Sequence, residues 1–176
     1  MKVGDTVHSV LMLNLTEEDN SFLHPNICKY CIDYLKDNLD KTNIWQKRHR
    51  LYIGDTIDPT LKNVVNYYKP LIKNYYLINI ELIYWPMGEY HDWHKDNGYK
   101  NPNKNYYYTT ITYLNSDYEG GRTIVQDKTI EPTIGKIIKF DANIMHMVTQ
   151  LTKGKRYVIV AWYNKNGKDN SIHTRS

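Results

Sequence analysis

The segment Leu77-Ile-Asn-Ile-Glu-Leu-Ile-Tyr-Trp85 begins a long run of strand-like sequence. β-Branched, aromatic and other apolar residues dominate it, as in strands that are buried in a sheet. Similar segments follow at short intervals, separated by turn residues such as Asn97-Gly98 and Gly120-Gly121. The candidate strands cover residues 77–85, 90–96, 105–114, 122–126, 136–140, 146–151 and 156–163. Many short strands without intervening helices predict a β-sandwich or barrel.

Two helical patterns precede this run. Pro25 suits the first position of one helix, whereas Asp58 and Pro59 are a typical N-cap and first residue for the other. Pro70 is expected to end the second helix, because its ring clashes with the carbonyl four residues earlier. The apolar stripes are Ile27, Cys28, Cys31, Leu35 and Leu39 in the first helix, and Leu61, Val64, Val65 and Tyr68 in the second. We therefore predict a mainly β fold with N-terminal helices that buttress one sheet.

The chain as a whole has the length and composition of one globular domain. Its 176 residues and net charge of +4 fit a single domain. We divide it into a helical support region (1–76), a β core (77–163) and a polar tail (164–176). No signal peptide and no membrane-spanning segment are recognised, and two cysteines give no disulfide framework. These features predict a cytoplasmic protein that does not interact with membranes.

The densest basic segment is Gln46-Lys47-Arg48-His49-Arg50. Two interpretations stay open for it, a solvated surface segment and a nucleic-acid-binding patch. The mild net charge permits nucleic-acid binding but does not argue for it, since such domains usually present a clustered basic face. We therefore do not expect nucleic acid as a partner.

A candidate metal site begins with His94-Lys-Asp96. On a strand, residues i and i+2 point to the same face, so the imidazole and the carboxylate project together. His146, on a later predicted strand, is the best candidate for a third ligand. Two histidines and one carboxylate form the facial triad of non-haem Fe(II) oxygenases. The alternative for the pair alone is a surface His and Asp at a hairpin.

Arg156 is the second chemically informative residue. It lies ten residues after His146 and opens the apolar segment Tyr157 to Trp162. An arginine that enters a core strand needs an anionic partner, and its guanidinium suits a carboxylate held by two hydrogen bonds. That carboxylate belongs either to a ligand or to an Asp or Glu of the chain.

An ordered set of motifs over residues 84–162 resembles the 2-oxoglutarate/Fe(II) dioxygenases of the prolyl 4-hydroxylase type, especially the small viral and bacterial members. The matching motifs are Pro86-x-Gly88-x-Tyr90, Trp93-His94-x-Asp96, Thr109-x-x-x-Tyr113-Leu114-Asn115, Gly120-Gly121-x-Thr123, Pro132-x-x-Gly135 with Phe140, His146-x-Val148, Gly154-x-Arg156 and Trp162. The resemblance implies a double-stranded β-helix, or jelly roll, with iron at its mouth.

The resemblance also implies roles for individual residues. His94, Asp96 and His146 would hold Fe(II), Arg156 would bind the distal carboxylate of 2-oxoglutarate, and Tyr113 would donate a hydrogen bond to that carboxylate. The implied reaction consumes O2 and 2-oxoglutarate, releases succinate and CO2, and allows ascorbate as a reductant. A viral member would act in the host cytoplasm.

Three features need separate interpretation. Close relatives often place a Tyr before the first motif's proline, where this chain has Trp85 beside Tyr84, and both stay open as cosubstrate-pocket residues. His91 is interpreted as a surface or substrate-facing residue, because no acid follows it two positions later. Cys28-x-x-Cys31 lacks the partners of a zinc site and the preceding strand of a redox motif, which favours buried structural thiols.

The implied substrate is a prolyl residue in a peptide or protein, with Tyr90 and Tyr106 to Tyr108 as candidate walls of its groove. Residues 97–108 are either a lid over the site or an ordinary hairpin loop. A nucleic-acid demethylase of the AlkB type is the main alternative, disfavoured because no second arginine follows Arg156 up to Tyr163. A non-catalytic jelly-roll binding module is the alternative from another class, and an intact triad argues against it.

Overall fold

A computed structural model describes residues 17–97 and 105–167. Two α-helices and a set of antiparallel strands make up this part of the chain. In chain order the elements are β1 (Glu17–Asp19), α1 (Pro25–Asp37), a 3-10 turn (Leu39–Lys41), β2 (Asn43–Trp45), β3 (Arg48–Tyr52), α2 (Pro59–Tyr68), β4 (Tyr76–Trp85), β5 (His91–His94), β6 (Tyr108–Tyr113), β7 (Glu119–Gly120), β8 (Thr123–Val125), β9 (Lys128–Ile130), β10 (Ile137–Asp141), β11 (His146–Val148), β12 (Leu151–Lys153) and β13 (Arg156–Asn164). None of the described helices has the length and apolarity needed to cross a membrane.

Both predicted helices are confirmed, including their starts. Pro25 and Pro59 occupy the first turns, and the Asp58 carboxylate accepts a hydrogen bond from the backbone N–H of Leu61 at 2.8 Å. Leu39 does not continue the first helix, which ends at Asp37. The Asn38 side chain donates instead to the carbonyl of Tyr34 and the chain turns into a 3-10 turn there, so that Leu39 is left exposed.

A seven-stranded antiparallel sheet is the largest element of the fold, in the order β1-β10-β6-β13-β4-β3-β2. Its centre is the long pair of β4 and β13, which is in register from Arg156 opposite Trp85 to Asn164 opposite Tyr76, with one irregularity. The region before residue 77 was predicted to be helical support only, and this is incomplete. It also supplies β1, which pairs with β10, and β2 and β3, which extend the sheet beyond β4.

A smaller sheet of four strands, in the order β5-β11-β8-β9, faces part of the large one, and β7 and β12 form a two-stranded ribbon. The fold is therefore mainly β with two helices and antiparallel sheets, as predicted. One cluster of buried apolar residues joins the helices to the large sheet, and a second joins the two sheets. The second cluster forms the floor around a cleft that contains the chemically informative residues.

Successive residues of the large sheet alternate between these two clusters. On β13, Tyr157, Ile159 and Ala161 pack toward the helices, whereas Arg156, Val160 and Trp162 line the cleft. This is the period of two that an extended strand imposes on its side chains. The two cysteines belong to the helix side, where both are fully buried and unpaired, as the stripe of the first helix predicted.

Candidate metal centre

Strand pairing brings the three predicted metal ligands together. β5 and β11 are neighbours in the smaller sheet, and His94 and His146 are direct register partners. Asp96 follows β5, where its backbone N–H is held by the carbonyl of Ala142 at 3.0 Å. One ligand atom from each of His94, Asp96 and His146 lies within 4.8 Å of the other two. A hairpin in which the His and the Asp simply face solvent is therefore excluded.

Hydrogen bonds aim the free atom of each side chain at the common point. The Nδ1 atoms of His94 and His146 lie 2.7 Å and 3.0 Å from the backbone carbonyls of Asp92 and Ile144. Because a carbonyl only accepts, each Nδ1 carries the proton, and each Nε2 keeps its lone pair. This arrangement is the usual way in which a metal-binding histidine is oriented.

Asp96 is oriented in the same manner. Its Oδ2 accepts hydrogen bonds from the Thr109 hydroxyl at 2.6 Å and from the Trp162 indole N–H at 2.9 Å. Its Oδ1 remains, 3.7 Å from the Nε2 atoms of both His94 and His146. Two imidazole nitrogens and one carboxylate oxygen thus converge, and this donor set fits Fe(II).

The electrostatics of the cluster keep His94 and Asp96 in their metal-binding protonation states. Burial, assisted by repulsion from His146, lowers the pKa of His94 to about 4. Burial alone would raise the pKa of Asp96, but His146, His94 and its two hydrogen-bond donors together bring it below its usual range. At neutral pH His94 is therefore uncharged and Asp96 is ionised, as metal binding requires.

Arg156 lies deeper in the cleft with its side chain almost entirely buried, at 1% exposure. One Nη donates to the Thr123 hydroxyl at 3.1 Å, while Nε has no acceptor. None of the ion pairs among residues 17–97 and 105–167 includes Arg156, so the alternative of a structural salt bridge finds no support there. A buried guanidinium without a carboxylate fits a pocket for an anionic ligand.

Two tyrosines add hydroxyl groups to this anion pocket. Tyr113 and Tyr118 are buried, and neither hydroxyl has a hydrogen-bond partner in the described residues. Burial raises the pKa of Tyr113 to about 12, with Arg156 opposing this, so the hydroxyl keeps its proton at neutral pH and can donate it. Gly121 makes room for Arg156: its φ is +58°, and a Cβ there would lie 3.3 Å from the Cδ of Arg156.

The cleft that joins the metal cluster to Arg156 has a volume of about 190 Å³. Trp85 lines it, whereas Tyr84 packs on the helix side against His49 and Tyr157. Of the two residues before Pro86, Trp85 is therefore the one that faces the site. His91 also lines the cleft and stacks on His94, at 3.5 Å between ring centroids, but it is not part of the ligand cluster.

Two expectations about the walls are wrong. The basic run is solvated only at Gln46 and Lys47, because Arg48 is 3% exposed and both Arg48 and Arg50 line the cleft from β3. Tyr90 and Tyr106 to Tyr108 are not among the lining residues. Tyr106 is buried against Trp162, and Tyr107 and Tyr108 pack against Tyr75. The aromatic walls are Trp45, Trp85 and Trp162. Of these, the sequence left Trp85 open as a cosubstrate-pocket residue and included Trp162 among the family motifs without assigning it to a wall.

Comparison with known sequences finds a match over the part of the chain that contains the three candidate metal ligands and Arg156. Residues 81–164 match the sequence model of the 2OG-Fe(II) oxygenase superfamily, whose cofactors are Fe(II) and 2-oxoglutarate. A PKHD-type hydroxylase of Synechococcus sp. (strain CC9605) is 28% identical over 116 residues, which are 58% of this chain and 52% of the relative. One of Prochlorococcus marinus (strain MIT 9211) is 30% identical over 95 residues, 49% of this chain and 42% of the relative. The chain thus aligns with about half the length of these relatives.

Solved structures support the fold. The viral collagen prolyl hydroxylase of Paramecium Bursaria Chlorella virus-1 superposes with a TM-score of 0.64 at 18% identity, over 85% of this chain and 95% of that one. A Pseudomonas putida prolyl-4-hydroxylase gives 0.64 at 15% identity, over 86% and 93%. A prolyl hydroxylase of Trichoplax adhaerens, solved with a peptide of hypoxia inducible factor, gives 0.64 at 16% identity, over 85% and 83%.

Proposed function

From a core that matches the 2OG-Fe(II) oxygenase superfamily, we propose that this chain is a single-domain Fe(II)- and 2-oxoglutarate-dependent dioxygenase. His94, Asp96 and His146 hold the iron in this proposal. The observation that carries it is the convergence of two imidazole Nε2 atoms and the Asp96 Oδ1, each fixed through its other polar atom. The prolyl hydroxylase neighbours further support a double-stranded β-helix as the arrangement of the two sheets.

Fe(II) and 2-oxoglutarate, when bound, supply the oxidising chemistry, in which 2-oxoglutarate and O2 yield succinate, CO2 and a hydroxylated substrate. The chain binds and orients these reactants. Arg156 pairs with the distal carboxylate of 2-oxoglutarate, and the Tyr113 hydroxyl donates to the same group. Apolar side chains such as Ile83, Val148 and Val160 line the cleft and limit the access of water.

For the substrate we propose a prolyl residue in a peptide or protein. The prolyl hydroxylases among the structural neighbours support it, one of them solved with a peptide. The cleft supports it as well, because indole faces at Trp45, Trp85 and Trp162 offer apolar contact to a ring that lacks an N–H donor.

For the location of the protein we propose the cytoplasm, because its two free, buried thiols suit a reducing compartment.

The experiment that tests the proposal compares two substrates in parallel. Purified protein with Fe(II), ascorbate and 2-oxoglutarate is incubated with proline-containing peptides and with methylated single-stranded DNA. We expect a mass gain of one oxygen on proline, with one succinate released for each product. Demethylation of the DNA with the peptides untouched would move the chain to the nucleic-acid class. No consumption of 2-oxoglutarate with any substrate would favour a non-catalytic binding module.

A further inference from the structure

Trp45, Arg48 and Arg50 of β2 and β3 form what we call the outer wall of the cleft. The two arginines of this wall have no role in binding the metal or the cosubstrate in the proposed function. Arg48 lies between two indoles, with its guanidinium carbon 3.9 Å from the ring centroid of Trp45 and 4.4 Å from that of Trp85. Its Nε is 3.3 Å from the buried carboxylate of Glu89. This stack continues inward, since Arg156 lies 4.8 Å from the Trp85 ring. Arg48 is thus locked in place and is too buried to reach a large substrate itself.

Arg50, two residues further along β3, is the accessible member of this wall. Its side chain is 24% exposed and lines the cleft. Glu81 takes up one edge of the guanidinium, with the Nε and one Nη each 2.6 Å from the same carboxylate oxygen. Glu81 is itself held by Asn79 at 3.1 Å. Within the described residues, the other edge of the Arg50 guanidinium has no hydrogen-bond acceptor and is available to a ligand.

The position of Arg50 relative to the metal cluster defines which ligand it can reach. Its guanidinium carbon is 5.8 Å from the ring centroid of Trp45, at the outside, and 5.8 Å from that of Trp162. The Trp162 indole N–H donates to Asp96, one of the three candidate iron ligands. The Trp162 indole therefore separates Arg50 from the candidate metal site, and Arg50 lies two strands away from Arg156 in the same sheet.

The charges that line the cleft are unbalanced. Arg48, Arg50, Lys95 and Arg156 line it, whereas Asp96, a candidate metal ligand, is its single lining carboxylate among the described residues. Glu81 and Glu89, which are not among the lining residues, form ion pairs with Arg50 and Arg48. In the proposed function the distal carboxylate of 2-oxoglutarate is taken by Arg156 and its other end by the metal. The guanidinium edge of Arg50 is then left for an anion of the substrate.

We propose that Arg50 is a specificity-determining residue that binds a carboxylate of the substrate close to the target carbon. Arg48 is a positioning residue that holds Trp45 and Trp85 on either side of this subsite. The inference rests on the proposed dioxygenase function and narrows its substrate to acidic peptides. The carboxylate comes either from an Asp or Glu side chain beside the target proline or from a peptide C-terminus directly after it.

A purely structural role for the Arg50–Glu81 pair predicts something different. Loss of Arg50 would then leave a buried Glu81 without its cation and reduce stability, while acidic and neutral peptides would be affected equally. The decisive quantity is therefore the ratio of two affinities and not the affinity for one peptide. A ratio is insensitive to a general loss of folded protein.

The experiment measures peptide binding by fluorescence anisotropy with Fe(II) and saturating 2-oxoglutarate in the absence of O2. Saturation prevents acidic peptides from occupying the Arg156 pocket. Four labelled peptides of equal length are compared in two pairs. The first pair carries either Glu or Gln beside the proline, and both of its peptides have an amidated C-terminus. In the second pair proline is the last residue, and its C-terminus is either a free carboxylate or an amide. The variants are Arg50→Gln, Arg50→Lys and, as a matched control, Arg122→Gln, which removes an Arg–Glu ion pair outside the cleft.

We expect the wild type to prefer one of the two carboxylate peptides by roughly tenfold over its neutral partner. Arg50→Gln should reduce that preference to less than about twofold, Arg50→Lys should keep part of it, and Arg122→Gln should keep all of it. Equal binding of acidic and neutral peptides by the wild type, or a preference that survives Arg50→Gln, overturns the subsite. Arg50-dependent binding without hydroxylation by the aerobic enzyme supports the subsite and contradicts the prolyl substrate alone.

Discussion

The two faces of the seven-stranded sheet are built from the same strands and differ in almost everything else. On the face toward the helices, Leu82 and Ile159 of the sheet pack in one apolar cluster with Leu35, Leu61 and the two cysteines of the helices. The face toward the cleft carries guanidinium and indole groups among its apolar residues, and the imidazoles of the candidate metal site belong to the smaller sheet. Alternation along a strand lets one chain segment serve both purposes at once.

The two sides differ in how many buried polar groups lack a hydrogen-bond partner, and on the helix side the Thr110 hydroxyl is such a group in the described residues. On the cleft side, the Nε of Arg156, the indole N–H of Trp85 and the hydroxyl of Tyr113 are buried without partners in the described residues. Each such group costs free energy that the folded chain does not recover internally. We infer that stability comes mainly from the helix side, and that the cleft side is left incomplete for its ligands. The predictions below test this separation.

Removing a candidate iron ligand should have the largest effect on activity and little effect on the fold. Asp96→Ala and His146→Ala each leave two ligands, and we expect turnover to fall by roughly a thousandfold or more. Metal stoichiometry by equilibrium dialysis should fall well below the wild-type value, while circular dichroism stays unchanged. His91→Ala is the matched control, because His91 stacks on His94 without joining the cluster. Metal binding that depends on His91 as strongly as on His146 would contradict the assignment.

Substitution of Arg156 should separate function from stability most clearly. Arg156→Ala should raise the Michaelis constant for 2-oxoglutarate on the order of a hundredfold, and Arg156→Lys by about tenfold, because lysine loses the paired hydrogen bonds of the guanidinium. Steady-state kinetics with 2-oxoglutarate as the varied substrate checks both values. Unchanged Michaelis constants in both variants would refute the assignment.

Arg156→Met adds a stability test at the same position. Methionine replaces a buried, unpaired charge by an apolar side chain, so the ligand-free protein should gain on the order of 1–4 kcal/mol in free energy of unfolding. Urea denaturation without metal or 2-oxoglutarate measures it. A loss of stability would show that Arg156 has structural partners and would weaken the contrast between the two faces.

The cysteines on the helix side should give the smallest effect, and on stability only. The Cys28→Ser, Cys31→Ser variant buries two hydroxyls, which should cost about 1–3 kcal/mol for each site while the kinetic constants stay unchanged. Burial raises the pKa of Cys28 to about 11 and that of Cys31 to about 12. Both remain protonated at pH 8, so iodoacetamide should modify the unfolded chain but not the native one.

The raised pKa values also fix the direction of a pH effect. In the unfolded chain these thiols lose protons near the ordinary thiol pKa of 9.0, while the folded chain still holds them. Their contribution to stability is therefore present below about pH 9 and is lost as the pH rises through about 11 for Cys28 and about 12 for Cys31. The serine variant should lose this part of the pH dependence. Rapid alkylation of native protein at pH 8, or zinc bound through the two thiols, would contradict a structural role.

Local sequence patterns were sufficient where the determining contacts are close in the chain. The N-cap at Asp58, most of the strands after residue 77 and the proximity of His94 and Asp96 follow from spacing, whereas β7 and β9 were not predicted. The place of His146 rested on its position in a later predicted strand and on the ordered motifs of a family, because its neighbour across the sheet lies 52 residues away. The cost of an unpaired arginine also indicated the Arg156 pocket before any partner was known.

The outer wall could not be predicted in this way. Arg48 and Arg50 resemble a surface segment, and their burial depends on Trp85, Glu89 and Glu81, which are more than 30 residues away in the chain. The strands β2 and β3 were missed for the same reason, since β3 is defined by pairing with β4 and not by its own apolar content. Three consecutive tyrosines suggested a substrate wall, but Tyr106 fills space behind Trp162 instead.

The central claim is that one cleft holds a metal and 2-oxoglutarate together, and calorimetric titration of 2-oxoglutarate without O2 tests it most directly. We expect one 2-oxoglutarate to bind to each wild-type chain when Fe(II) is present. Binding of 2-oxoglutarate should be much weaker without metal. It should also be weaker in Asp96→Ala, because that variant loses the metal. In Arg156→Ala it should be weaker even though the metal is retained. Equal affinity for 2-oxoglutarate with and without metal, or in wild type and both variants, would contradict the account.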